Sequence, residues 1–118
     1  MKRASASAKT NCGPHGTASR TAAPPSPAAF ARAAAMFRAA GDPARLRLIH
    51  ELAHGERCVS DLAASGGAKL STLSQQLRVL HSERIVARRR DGKHIFYSLA
   101  DSHVRKLVRA ALEHALEA

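Results

Sequence analysis

The stretch DSHVRKLVRAALEHALE, Asp101 to Glu117, holds metal-capable side chains within what reads as an amphipathic helix. Val104, Leu107, Val108, Ala111, Leu112 and Leu116 recur at the spacing of a buried helical stripe. His114 and Glu117 stand at i and i+3 and can converge on one ion, and Asp101 and His103 can converge where the helix begins. His103 and His114 are about three turns apart, roughly 16 Å along the axis, so no ion touches both within one helix. On spacing alone two readings stand. Either Asp101 caps the helix, the histidines are exposed and Glu117 ends it, or the two ends are half-sites completed by a second chain.

Cys58 and Asp61 form a second pair, three residues apart at the expected start of a helix whose N-terminus favours thiolate. A thiolate suits Zn²⁺, Cd²⁺ or Pb²⁺. Two ligands do not close a site, but Cys12 and His15 of NCGPHG could fold back to add to it. The plainer alternative is a half-buried cysteine beside a capping aspartate. His50, His54 and His81 have no comparable partners and read as surface residues. With two cysteines in all, one of them in a segment expected to be flexible, reduced thiols in a cytosol are the better match.

The elements that must position these residues follow from composition and pattern. Trp is absent, aromatics make up 3% and hydrophobic residues 45% of the 118 residues, which favours one small domain of packed helices with an aliphatic core. Residues 1–27, rich in Ala, Ser, Thr, Gly and Pro and free of acidic groups, read as a flexible basic arm, and 28–118 as the folded domain. From Pro27 a helix carries Phe30, Ala33, Ala34 and Phe37 on one face and stops at Gly41. Asp42 and Pro43 open a second helix with Leu46, Ile49, Leu52 and Ala53 inward. VSDLAAS ends at Gly66 and Gly67, and the next helix begins near Ser71 with Leu70, Leu73, Leu77 and Leu80 as its apolar back, which makes a helix-turn-helix. In IVARRRDGKHIFYSLA, β-branched and aromatic residues flank Asp91-Gly92, a pair suited to a type I′ hairpin. The expected fold is mainly α with a small β-hairpin, a winged helix-turn-helix in the order α-α-α-α-β-β-α.

A formal net charge of +10, from 19 Lys and Arg against 9 Asp and Glu, points to nucleic acid as the partner. Ser71, Thr72, Ser74, Gln75, Gln76 and Arg78 fill the front of the second helix of the motif, where Gln can pair with adenine and Arg with guanine. Arg88, Arg89, Arg90, Lys93 and His94 on the hairpin suit phosphates, contacts that position without specifying sequence. The alternative, a merely solvated polar face, leaves the hairpin, its arginine run and the basic charge unexplained. No apolar run approaches the roughly 18 residues of a membrane span, and the N-terminus lacks a secretory h-region, although its Ser- and Arg-rich composition superficially resembles a transit peptide. No nucleophile-base pair, phosphate loop or open three-ligand metal site suggests an enzyme.

Taken in order, GDPARLRLIHEL, CVSDLA, LSQQLRVL, RRRDGKHIFYSL and the terminal DSH and HALE resemble the ArsR/SmtB family of metal-sensing bacterial repressors, over about residues 28–118. The resemblance implies a winged-helix homodimer that binds operator DNA when apo and leaves it when an ion binds. The chain departs from the family at Ser65, Gly67 and Leu70 in the turn, and at Gln75, where relatives often carry His; those changes bear on operator sequence. It is most similar to the zinc-sensing branch, which keeps the terminal-helix Asp-x-His and, eleven residues after that His, a His-x-x-Glu. The resemblance therefore implies that Asp101, His103, His114 and Glu117 bind Zn(II) between two antiparallel copies, giving two equivalent sites per dimer. Cd(II), Pb(II) or Co(II) are further effectors, and Cys58 and Asp61 with Cys12 and His15 a second site. The expected partners are operator DNA and a second copy, with no membrane and no small-molecule substrate, in a cytoplasmic setting where metal efflux or sequestration genes are derepressed. Two rivals remain. A thiol or arsenite sensor of the same fold needs about three thiolates, and a structural DNA-binding protein needs no effector.

Overall fold

Ser26 and Asp42 start the first two helices of the computed structural model, which describes residues 23–117. Most of the expected arm, with Cys12 and His15, lies outside the described residues. The chain divides into two units, Met1–Phe30 and Ala31–Ala118, and the packing below is internal to the second. The Ser26 hydroxyl accepts from the Ala29 N–H at 3.1 Å, and Pro27 then opens α1, Pro27–Ala40. Gly41 follows it, at a place where a Cβ would lie 2.9 Å from the Phe37 carbonyl oxygen, so glycine suits the exit. Asp42 caps α2, Pro43–Leu52, by accepting from the Arg45 N–H at 3.1 Å. The Arg45 Nε in turn donates to the Ala39 carbonyl at 2.6 Å and ties α2 to the end of α1.

A short strand, β1 (Arg57–Cys58), precedes α3 (Val59–Gly66), which Gly67 terminates in the left-handed region at φ 69°. Then come α4 (Leu70–Ser82), the hairpin strands β2 (Val86–Asp91) and β3 (His94–Leu99), and α5 (Ser102–Leu116). The sheet is antiparallel in the order β1-β3-β2, with Arg57 opposite Tyr97 and Val86 opposite Leu99. This is the winged helix-turn-helix fold, with two departures from the expected detail. Strand β1 was not foreseen, since two residues are too few to show alternation. At the wing tip Asp91 pairs with His94, which leaves Gly92 and Lys93 as the turn. Only Gly92 has positive φ, so the type I′ turn, which needs it at both central residues, gives way to the φ pattern of type II′.

Ile49, Leu52, Leu77 and Leu80 are the fully buried centre of the core, and among the described residues no polar or charged side chain is buried. Leu73, Leu77 and Leu80 face inward as their spacing predicts; Leu70, expected on the same stripe, is 56% exposed. The predicted inner face of α1 is also outside. Phe37 is 61% exposed, Phe30, Ala33 and Ala34 are exposed, and Ala39 is the helix's buried residue. Ala33, Met36 and Phe37 of α1 instead line, with Val104, Leu107 and Ala111 of α5, an apolar groove of about 340 Å³. Periodicity picked out an apolar face on each helix but not what covers it.

Candidate nucleic-acid interface and metal-ligand pairs

Burial of Leu73, Leu77 and Leu80 fixes the rotation of α4, leaving Ser71, Thr72, Gln75 and Arg78 exposed and Ser74 and Gln76 half-buried on its outer side. Between α4 and the wing lies a cleft of about 410 Å³, walled by Ser74, Arg78 and His81 from the helix and Arg88, Lys93 and His94 from the wing. His81 is exposed, as its reading as a surface residue expects, and it also lines the cleft, standing three residues after Arg78 and seven after Ser74 on one helical face.

Side chains alternate across a strand, so the arginine run divides. Arg88 lines the cleft, whereas Arg89 donates from Nε to Glu56 Oε2 at 3.0 Å and from Nη2 to Oε1 at 2.7 Å. Its guanidinium also stacks 4.6 Å from the centroid of the Phe96 ring. This bidentate pair ties the wing to the loop between α2 and β1. The Arg89 hydrogen bonds hold the Glu56 carboxyl below the usual glutamate range. The pair is therefore fully formed above that range and is lost as pH falls through the lowered value. Arg90 is exposed on the wing and is not part of the cleft wall.

On α5, Asp101 is the N-cap and accepts from the Val104 N–H at 3.1 Å through Oδ1, the oxygen that also lies 3.6 Å from His103 Nδ1. The His103 side chain is 90% exposed. His114 occupies the last turn and Glu117 the C-cap, both exposed. Among the described residues no three His, Cys, Asp or Glu side chains come together, and within one chain Asp101 is a cap, the two histidines are exposed and Glu117 ends the helix, as the plainer of the two readings expects. The donor types, two imidazoles and two carboxylates, fit Zn(II). The helix that carries them packs against α2 and β3, and Arg105 Nε donates to the Ala53 carbonyl at the end of α2 at 3.3 Å.

Cys58 is buried and forms no disulfide among the described residues; its Sγ lies 3.1 Å from Ser60 Oγ. It occupies the N-cap position of α3 without a side-chain capping bond, and Asp61 is exposed in that helix's first turn.

Residues 42–88, from the Asp42 cap to Arg88 in the cleft, match the family model described as bacterial regulatory protein, arsR family. The chain is 38% identical to the HTH-type transcriptional regulator NmtR of Mycobacterium tuberculosis, over 81% of this chain and 80% of that protein. The protein belongs to the arsR family. A transcriptional repressor SmtB homolog of Synechocystis is 49% identical to this arsR-family chain over 71% of it, and the match spans 64% of that relative. The homodimeric winged helix-turn-helix DNA-binding domain of Mb0332 from Mycobacterium bovis superposes with a TM-score of 0.73. It is 31% identical and covers 81% of this chain and 92% of that one. The arsR-family match takes in the whole of α4 and reaches the wing, but not α5 with its two metal-capable pairs.

Proposed function

We propose that the protein is a metal-responsive transcriptional repressor, binding operator DNA as an apo dimer and released from it by Zn(II). The observation that carries the metal reading is the placement of Asp101 with His103 at one end of α5 and of His114 with Glu117 at the other, all exposed. Two copies of α5 packed antiparallel across a two-fold axis set the start of one beside the end of the other, giving two equivalent sites. The open groove between α1 and α5 supplies the apolar contact for that packing. Support for repression and dimerisation comes from the Synechocystis relative, named a transcriptional repressor, and from the homodimeric M. bovis domain.

In this reading Ser71, Thr72, Ser74, Gln75, Gln76 and Arg78 meet base edges, and Arg88, Lys93 and His94 hold phosphates. Bound Zn(II) would supply only a cross-link between the ends of two α5 helices. The chain's own contribution is the packing of α5 on α2 and β3, and of α4 on α2, through which the spacing of the two reading helices answers to α5. Cys58 and Asp61, with Cys12 and His15, form an accessory site for softer ions such as Cd(II) or Pb(II). The protein works in the cytosol and controls metal efflux or sequestration genes.

The test is a titration of a fluorescent operator duplex, recovered from a randomised pool with the apo protein, against Zn(II), Cd(II), Pb(II) and Co(II). Zn(II) is expected to weaken binding by at least tenfold. Unchanged affinity with every ion would leave an effector-free DNA-binding protein.

A further inference from the structure

We propose that Leu70 reads the 5-methyl group of a thymine in the major groove; the proposal rests on the DNA-binding reading above and adds the chemistry of one base contact. Leu70 is the first residue of α4. In helix-turn-helix proteins the N-terminal residues of the second helix are the ones that meet base edges. Its spacing to Leu73 and Leu77 places it on the stripe that faces the core, yet it is 56% exposed while they are buried. The turn before it, Gly66 and Gly67, carries no side chains.

Leu70 instead faces the cleft. The α4 wall of that cleft is Leu70, Ser74, Arg78 and His81, the first three each one turn apart; Arg88 and Lys93 line it from the wing, and Val59, Ile95 and Tyr97 line it as well. Leu70 is thus the one apolar group that the helix presents there. Phosphates and most base edges offer it hydrogen-bonding atoms it cannot use. The apolar group on a base edge in the major groove is the thymine methyl.

Uracil differs from thymine only by that methyl, which gives a direct experiment. The zinc-free, full-length protein selects a duplex from a randomised pool, and each thymidine of a half-site is then replaced singly by deoxyuridine. Wild type is expected to lose about fourfold in affinity at one position per half-site, the worth of burying one methyl group. Leu70→Ala, a change at an exposed position, is expected to bind the parent duplex more weakly and to show no loss at that position. Wild-type indifference at every position, a half-site lacking thymine, or an undiminished loss in Leu70→Ala overturns the proposal while DNA binding stands. A pool from which no sequence is enriched overturns the DNA reading itself and this contact with it.

Discussion

Arg88 and Arg89 are neighbours in sequence and face opposite ways. Arg88 lines the cleft beside Lys93, whereas Arg89 is held by Glu56 and Phe96. The two should separate in a salt titration. Arg88→Ala is expected to weaken binding to all DNA and to shallow the plot of log affinity against log salt by about one unit, the loss of one phosphate contact. Arg89→Ala, which loosens the wing without removing such a contact, is expected to weaken binding with the slope unchanged. A slope change of one unit for Arg89→Ala would show that it leaves Glu56 for a phosphate. The arginine run was legible as a basic wing. The partner of Arg89 was not, because Glu56 lies 33 residues away and no local pattern joins them.

The groove between α1 and α5 marks the face on which a second copy is proposed to pack. Leu107 is 46% exposed on the face of α5 that would meet a second copy. Leu107→Glu is expected to leave helix content unchanged, because the side chain is outside the core of the single chain, and to yield a monomer by sedimentation at concentrations where wild type is dimeric. A Leu107→Glu protein that stays dimeric would place the dimer contact elsewhere. The helices themselves could be read because their ends are chemically marked. Asp42 with Pro43, Gly67 in the left-handed region and Asp101 are caps that act within three or four residues. Strand β1 and the exposure of Leu70 and Phe37 depend on what lies across from them in space, and periodicity carries no such information. The capping role of Asp101 was legible in the same local way, because a cap acts within its own turn, whereas a joining of α5 side chains across two chains is no local property of the sequence.

The molecule as a whole carries a charge of +10, which favours DNA of any sequence, so in the proposed function specificity falls to α4 and release to α5. Coupling of this kind is reciprocal: if Zn(II) weakens DNA binding, DNA weakens Zn(II) binding by the same factor. Mixed dimers show whether each proposed zinc site is shared by two chains. A His103→Ala chain paired with a His114→Ala chain makes one site lacking both histidines and one site intact. The intact one takes His103 from the His114→Ala chain and His114 from its partner. Zinc stoichiometry of the purified mixed dimer, carrying a different affinity tag on each chain, is the measurement. Sharing is expected to give one tightly bound Zn(II) per mixed dimer and none in either parent homodimer. A mixed dimer that binds zinc no better than its parents would contradict it.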